Sequence, residues 1–288
     1  MVKIKPNISI LPKKRRIIVI GDLHGDMKTT LRCLWGAGVL TKDLKWKGGK
    51  TIVIQMGDQV DRGGRGYSLH DENSDLRIIN LFADLHLQAL KTGGGVYSLI
   101  GNHELMNVMG NFSYTSPLGL EQYGGAQGRY SLFKPGGPIA QLLSNRNVLM
   151  KVGDWVFVHG GINPYLIQKN SIQSINNYMK AYLIGALNIN NNKKFSNLFL
   201  DQKSLLWNRD YAEDNVNCNE VYKSLKLLKA KFIVLGHTPQ QQGINHVCNN
   251  RVWRVDTGMS EAFGPNAHNR IQILEILNNG KTVNIIKV

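Results

Sequence analysis

Short apolar runs recur along the chain, and each stops at a glycine or a polar residue. "RIIVI" leads into Gly21-Asp22, "TIVIQM" into Gly57-Asp58, and "VYSLI" into Gly101-Asn102. Farther on, "WVFV" leads into His159-Gly160, "KFIVL" into Gly236-His237, and "VWRV" into Asp256-Thr257-Gly258. Short β-branched and aliphatic runs bounded by turn formers predict strands. These runs are nearly unbroken rather than alternating, so the strands should be buried on both faces, under helices or in a packed sandwich. The tail, "RIQILEI" followed by "GKTVNIIKV", predicts a closing hairpin around Asn279-Gly280.

Helical patterns lie between the runs. "DMKTTLRCLWGAGVL" places Leu31, Leu34 and Trp35 on one face and ends near Gly36 and Gly38. "SDLRIINLFADLHLQALKTGGG" starts at Ser74 or Asp75, carries a stripe of Leu76, Ile79, Phe82 and Leu90, and stops at glycines. Strand and helix in alternation predict an α/β architecture, with functional loops at the carboxyl ends of the strands. Two regions break the rhythm, about 105–150, rich in Gly, Pro and Tyr, and about 165–206, where "NINNNKKF" separates helical patterns. Neither has the apolar periodicity of a separate domain. Residues 1–288 are therefore expected to form one domain with both regions as insertions capping the site.

Composition narrows the class. With 42% hydrophobic and 19% charged residues the chain is globular rather than disordered. No apolar run is long enough to span a bilayer, and the basic start "MVKIKPNISILPKKRRIIVI" has no uninterrupted h-region or cleavage site. A cytoplasmic location without membrane insertion is the expectation. Cys33, Cys218 and Cys248 form no CxxC pair and read as free, inert thiols of a reducing compartment. The net charge is +15, and the first fifty residues hold twelve Lys/Arg against three Asp. Such a field suits anionic substrates. A zinc-finger spacing, an aromatic RNA-binding signature and a heptad basic region are all missing, so nucleic acid enters only as an alternative substrate or through the basic surface.

The chemistry lies at the strand ends. Five of them carry Asp22 with His24, Asp58, Asn102 with His103, His159, and His237, all ligand types for first-row divalent metals. Six of the seven make two overlapping sets. Asp22 and His24 can face one ion, and Asn102, His159 and His237 a second. Asp58 can bridge both with its two carboxylate oxygens. Two such ions would polarise a phosphoryl oxygen and supply hydroxide near neutrality, so no protein nucleophile is needed.

The ordered set "GDLHGD", "GDQVDRG", "GNHE", "HGG" and "GHTP" resembles the calcineurin-like metallophosphoesterases of the phosphoprotein phosphatase branch. "FVHGGI", "LWNRDY", "GHTPQ" and "VDTGMS" are similar to the Shewanella-like, bacterial-type members. "VDTGMSEAFG" stands where eukaryotic members have "SAPNYC", so their regulatory-subunit and toxin binding is not carried over. The resemblance implies two packed, helix-flanked β-sheets with the metal site at the carboxyl ends of the strands. It assigns Asp22, His24 and Asp58 to one ion, and Asp58, Asn102, His159 and His237 to the other. It makes His103 the general acid and Asp61 its orienting partner. It makes Arg62 a phosphate clamp, with a second arginine from the later half, for which Arg209 is the candidate and Arg129 a further one. Glu104 reads as a residue that orients a ligand. Asp256 reads equally as support for His237 or a turn cap. Trp155 and Trp207 read as core, and His70, His86, His246 and His268 as surface or packing residues.

The expected function is a metal-dependent protein phosphatase acting on phosphoserine and phosphothreonine, with phosphotyrosine a further candidate, by direct attack of metal-activated water. Manganese is the first-choice metal, then iron or zinc. The alternative is a diadenosine-tetraphosphatase or nucleic-acid phosphoesterase using the same site. A non-catalytic phosphate-binding module would be expected to lose a ligand or His103, and none is missing.

Overall fold

The computed structural model describes residues 7–65 and 71–288. Within them the strands follow in chain order: β1 (Ile10–Leu11), β2 (Arg16–Ile20), β3 (Ile52–Gln55), β4 (Gly95–Ser98), β5 (Leu149–Val152) and β6 (Trp155–Val158). Then come β7 (Phe232–Leu235), β8 (Asn245–Val247), β9 (Val252–Arg254), β10 (Gln272–Leu277) and β11 (Thr282–Lys287). They form a six-stranded sheet, β1-β5-β6-β7-β9-β8, and a five-stranded sheet, β11-β10-β2-β3-β4. The expected hairpin is β10–β11, paired from Leu277↔Thr282 outward. β2, β3 and β4 are parallel to one another, as are β6, β7 and β9. Every predicted site motif therefore leaves the carboxyl end of a parallel strand.

Alternation along the strands sets the layering. Ile17 and Val19 of β2 pack between the sheets with Ile54, Phe157, Val234 and Leu274. Ile18 and Ile20 face outward against Cys33, Leu34, Ile78 and Phe82 of the helices Met27–Gly36 and Asp75–Leu90. On the other side Val156, Val158, Ile233 and Leu235 meet Ile175, Met179 and Phe195 of the helices Ile172–Leu183 and Lys193–Phe199. Two sheets flanked by helices leave the central strands no wet face. That is why the runs are apolar at successive positions.

The rhythm-breaking regions contain short helices, among them Gly125–Phe133 and Pro138–Leu143 in the first. Phe133, Leu143, Leu183 and Phe199 join the same apolar cluster as the six-stranded sheet. Two expected helix faces are rotated. Helix Met27–Gly36 buries Thr29, Thr30, Cys33 and Leu34 while Trp35 is 43% exposed, and Leu90 is likewise exposed. Threonine hydroxyls permit this, because those of Thr29 and Thr30 donate to the Met259 and Asp26 carbonyls.

The cysteine reading needs correction. Cys218 and Cys248 form a disulfide across thirty positions, and only Cys33 is free, buried against Met259. Helix Cys218–Leu228 delivers one sulfur and the β8–β9 turn the other, an approach that spacing rules do not detect. Cysteine count thus supports no reducing compartment here. Closing a loop of this size contributes about 3.6 kcal/mol. Reduction should lower the denaturant midpoint accordingly, and Cys218→Ser should unfold at that lower midpoint with or without reductant. Among the described residues no helix is long and apolar enough to cross a membrane.

Candidate metal centre

The site is assembled where β2, β3, β4, β6 and β7 end. Four of its residues, His24, Asp58, Asp61 and His237, hold positive φ of 41°, 52°, 73° and 65°. Non-glycine residues rarely adopt this region unless the surroundings impose it. The neighbouring glycines make room for carboxylates. A Cβ on Gly101 would lie 2.1 Å from Asp58 Oδ1, and one on Gly236 would lie 2.4 Å from Asp22 Oδ1.

Asp58 is the hub. Its Oδ2 lies 3.3 Å from His159 Nε2 and 3.9 Å from both His24 Nε2 and His103 Nε2. Its carboxylate belongs to two three-residue sets, His24–Asp58–His103 and Asp58–His159–His237, each with ligand atoms within 4.8 Å of one another. Asn102 Oδ1 reaches His159 Nε2 at 2.9 Å. Asp22 enters by another route, accepting the His237 backbone N–H at 3.1 Å. The structure thus groups His103 with His24 and Asp58, and places Asp22 under His237.

These donors fit divalent cations. His159 Nδ1 faces the Met56 carbonyl at 2.8 Å and Nε2 faces Asn102 Oδ1 and Asp58 Oδ2, so with the hydrogen on Nδ1 these three atoms would present acceptors toward one point. Asp22 Oδ1 and His237 Nε2 are buried without a hydrogen-bond partner among the described residues. Burial, with Asp256 and Asp58 nearby, holds the Asp22 carboxyl well above its usual range. Burial, then Arg65 and His103, holds His24 well below the usual imidazole value, and burial with His159 and Arg209 does the same to His237. Both rings therefore stay neutral, the form that ligates metal. Burial pushes Asp58 up, but His159, His103 and His24 outweigh it and keep this carboxyl well below the usual range. For His159 burial acts downward and Asp58 overrides it.

His103 faces the same cage from the side of β4. Its Nδ1 lies 2.8 Å from Asp61 Oδ2. Asp61 also accepts from Asn107 Nδ2 at 2.9 Å and Thr115 Oγ1 at 2.8 Å. Burial raises the Asp61 carboxyl, yet the His103 hydrogen bond and charge, with Arg129 and Asn107, bring it below its ordinary value. Asn107 and Thr115 carried no motif, and only their contact with Asp61 reveals them.

Around the cage, Glu104 accepts the backbone N–H groups of Asp58 at 2.9 Å, Gln59 at 2.7 Å and Gly101 at 2.7 Å. It ties the Asp58 turn to the helix that carries Asn102 and His103. Glu104→Gln keeps the shape but turns an amide N–H₂ toward these donors. Metal affinity should fall roughly 10- to 100-fold, read by chelator competition, with little change in overall fold.

The arginines separate by neighbour. Arg209 Nη1 donates to the His237 carbonyl and Thr238 Oγ1, both at 3.0 Å. Arg129 is fully buried and bound to Asp75, Asn107 and the Gly119 carbonyl, which makes it structural. Arg62 lies against Asp26 and Glu261. Arg65, which no motif singled out, reaches the rings of His24 and His103. Asp256 Oδ1 caps its own turn by accepting from Gly258 N. Trp155 is buried on Phe232, whereas Trp207 stands edge-on to His237. His268 binds Asp26 and Glu261, and His70 lies outside the described residues.

Residues 15–241 match the family model described as calcineurin-like phosphoesterase. The chain is 28% identical to Shewanella-like protein phosphatase 2 of Arabidopsis thaliana, covering 86% of this chain and 72% of that protein. It is 33% identical to Shewanella-like protein phosphatase 1 of Plasmodium berghei, covering 85% and 67% respectively. Among solved structures, a cold-active protein-tyrosine phosphatase of a psychrophilic Shewanella species shares the fold with a TM-score of 0.79 at 22% identity, over 97% of this chain and 83% of that one.

Proposed function

The chain belongs to the calcineurin-like phosphoesterase family, in its Shewanella-like branch, and on that premise we propose that it is a dinuclear metal-dependent phosphatase of phosphorylated proteins. The observation that carries this reading is the Asp58 carboxylate shared between two imidazole-bearing sets. Asp22, His24 and Asp58 would hold one divalent ion, and Asp58, Asn102, His159 and His237 the other. Bound there, such ions supply Lewis acidity at the phosphoryl oxygens and lower the pKa of coordinated water. Manganese, iron and zinc all suit Asp/Asn/His donors.

The protein's own groups do the rest. Asp61 fixes the His103 ring through Nδ1 and neutralises it when both nitrogens are protonated. His103 Nε2 then delivers a proton to the departing alkoxide or phenolate oxygen. Arg209 lies beside His237 and is proposed as a phosphate contact, as is Arg62 from the family pattern. Tyr114, edge-on to His103, and Phe263, edge-on to His24, give the rim an aromatic character that suits phosphotyrosine as well as phosphoserine and phosphothreonine.

The net charge of +15 favours one competing substrate class, dinucleoside polyphosphates and nucleic acids. Metal analysis of the purified protein with a paired substrate panel decides between them. Two metal equivalents and faster turnover of phosphopeptides than of diadenosine tetraphosphate are expected. The reverse preference would overturn the protein-phosphatase reading.

A further inference from the structure

Two guanidinium groups stand three positions apart after β3, and only one of them is directly ion-paired. Arg62 is 3% exposed; its Nη2 donates to Glu261 Oε2 at 2.7 Å and its Nη1 lies 3.3 Å from Asp26 Oδ2. Nη1 also donates to the Gly25 carbonyl at 3.3 Å. Asp26 in turn caps the helix Met27–Gly36 by accepting from Thr29 N, so Arg62 is built into the floor of the site.

Arg65 has the opposite surroundings. Its Nη1 donates to the carbonyls of Asp61 at 3.0 Å and Gly63 at 2.9 Å, which fixes the plane of the fork. Its Nη2 points into the cage, 3.0 Å from His24 Nδ1 and 3.3 Å from His103 Nε2. The rings of Tyr114 and Phe263 flank it with centroids 5.2 and 4.9 Å away. Among the described residues no carboxylate comes within ion-pair distance of it. A partly buried cation is destabilised unless it meets an opposite charge. The two imidazoles it touches bring no negative charge, and divalent ions in the cage would add positive charge.

We infer that the ion-pair partner Arg65 lacks is the phosphoryl group of the substrate, and that Arg65 is a further arginine that grips it, beside the contacts proposed above for Arg62 and Arg209. The inference rests on the phosphatase reading above and deepens it. A guanidinium fork matches two phosphoryl oxygens. The aromatic flanks hold the fork in place and keep water from it, which strengthens the contact. Arg62, matched by two carboxylates, also holds together the separate segments that carry Asp26 and Glu261.

The test is calorimetric titration of the metal-loaded full chain with inorganic phosphate, alongside phosphopeptide kinetics and metal analysis. Arg65→Gln should raise the phosphate Kd roughly 10- to 100-fold, the worth of a charge-assisted hydrogen bond, at parental metal content. Arg65→Lys, which keeps charge but loses the fork, should fall between. Arg62→Gln should chiefly lower the unfolding temperature, with a smaller change in phosphate Kd than Arg65→Gln. A phosphate Kd for Arg65→Gln within twofold of the parent's, or loss of metal from that variant, overturns the assignment. A parent chain that neither binds phosphate nor cleaves phosphopeptides overturns the phosphatase reading itself, and this inference with it. An active parent with an indifferent Arg65→Gln removes this inference alone.

Discussion

Asp58→Asn is expected to lose turnover of p-nitrophenyl phosphate by about 10³-fold or more, the scale seen when a major electrostatic stabiliser is removed. Both ligand sets use this carboxylate, so the change should reach both. Metal content should fall from two equivalents to one or none. A variant that kept two ions and parental turnover would refute the bridging assignment. The metal-free protein offers a second readout. In the parent, Asp58 overcomes burial to raise His159, so without it the His159 ring should titrate at a lower pH. The depressed Asp58 carboxyl also contributes stability that is complete above its unfolded value near 3.9 and lost as pH falls through the folded value. The Asp58→Asn variant lacks that contribution, so its apo stability should decline less steeply on acidification.

Arg129→Met should be the most destabilising single change near the site. Arg129 is fully buried, with Nη2 2.7 Å from Asp75 Oδ2 and 3.5 Å from Asp61 Oδ1. Removing one partner of a buried pair leaves the other charge uncompensated and costs about 3–5 kcal/mol, or about 10 °C in unfolding temperature for a chain of this size. Burial already pushes the Asp75 carboxyl up to about 6, with Arg129 pulling down and Asp61 pushing up. Without Arg129 it should rise further. A carboxyl whose folded pKa exceeds its unfolded one binds more protons when folded, so its share of stability is present in acid and lost as pH rises through the folded value. The penalty of Arg129→Met should therefore be larger at pH 8 than at pH 5. Arg129→Met with Asp75→Asn should recover much of the loss. Equal penalties at both pH values would contradict this account.

The clustering of the candidate metal-binding residues was legible because the constraint on their positions is local. Each follows a strand whose apolar run ends abruptly, and a strand end fixes where the next side chains emerge. Asp22, His24, Asp58, Asn102, His159 and His237 do gather at one edge of the paired sheets, although the structure sets His103 with His24 and Asp58 and brings Asp22 in beneath His237. The position of Glu104 beside the cage was also readable, since it sits in the first turn of the same helix as Asn102.

What pattern could not reach was every relation between side chains on separate loops. Arg62 and Arg65 look alike in "DRGGRG", and only the arrival of Asp26 and Glu261 from elsewhere in the chain neutralises the first and leaves the second facing the cage. Arg129 read as one more phosphate-binding candidate until Asp75 and Asn107 closed around it. Cys218 and Cys248 read as idle thiols until a helix end and a turn met.

The amino-acid sequence by itself determined the α/β layering, the strand ends and the kinds of donor placed there, because hydrophobic burial and turn chemistry act over a few neighbouring residues. Tertiary structure alone decided which charges are compensated, which sulfurs pair and which arginine is left facing the cage. Those outcomes depend on distances between groups far apart along the chain, and Coulomb and hydrogen-bond energies exist only once folding has brought such groups within a few ångströms.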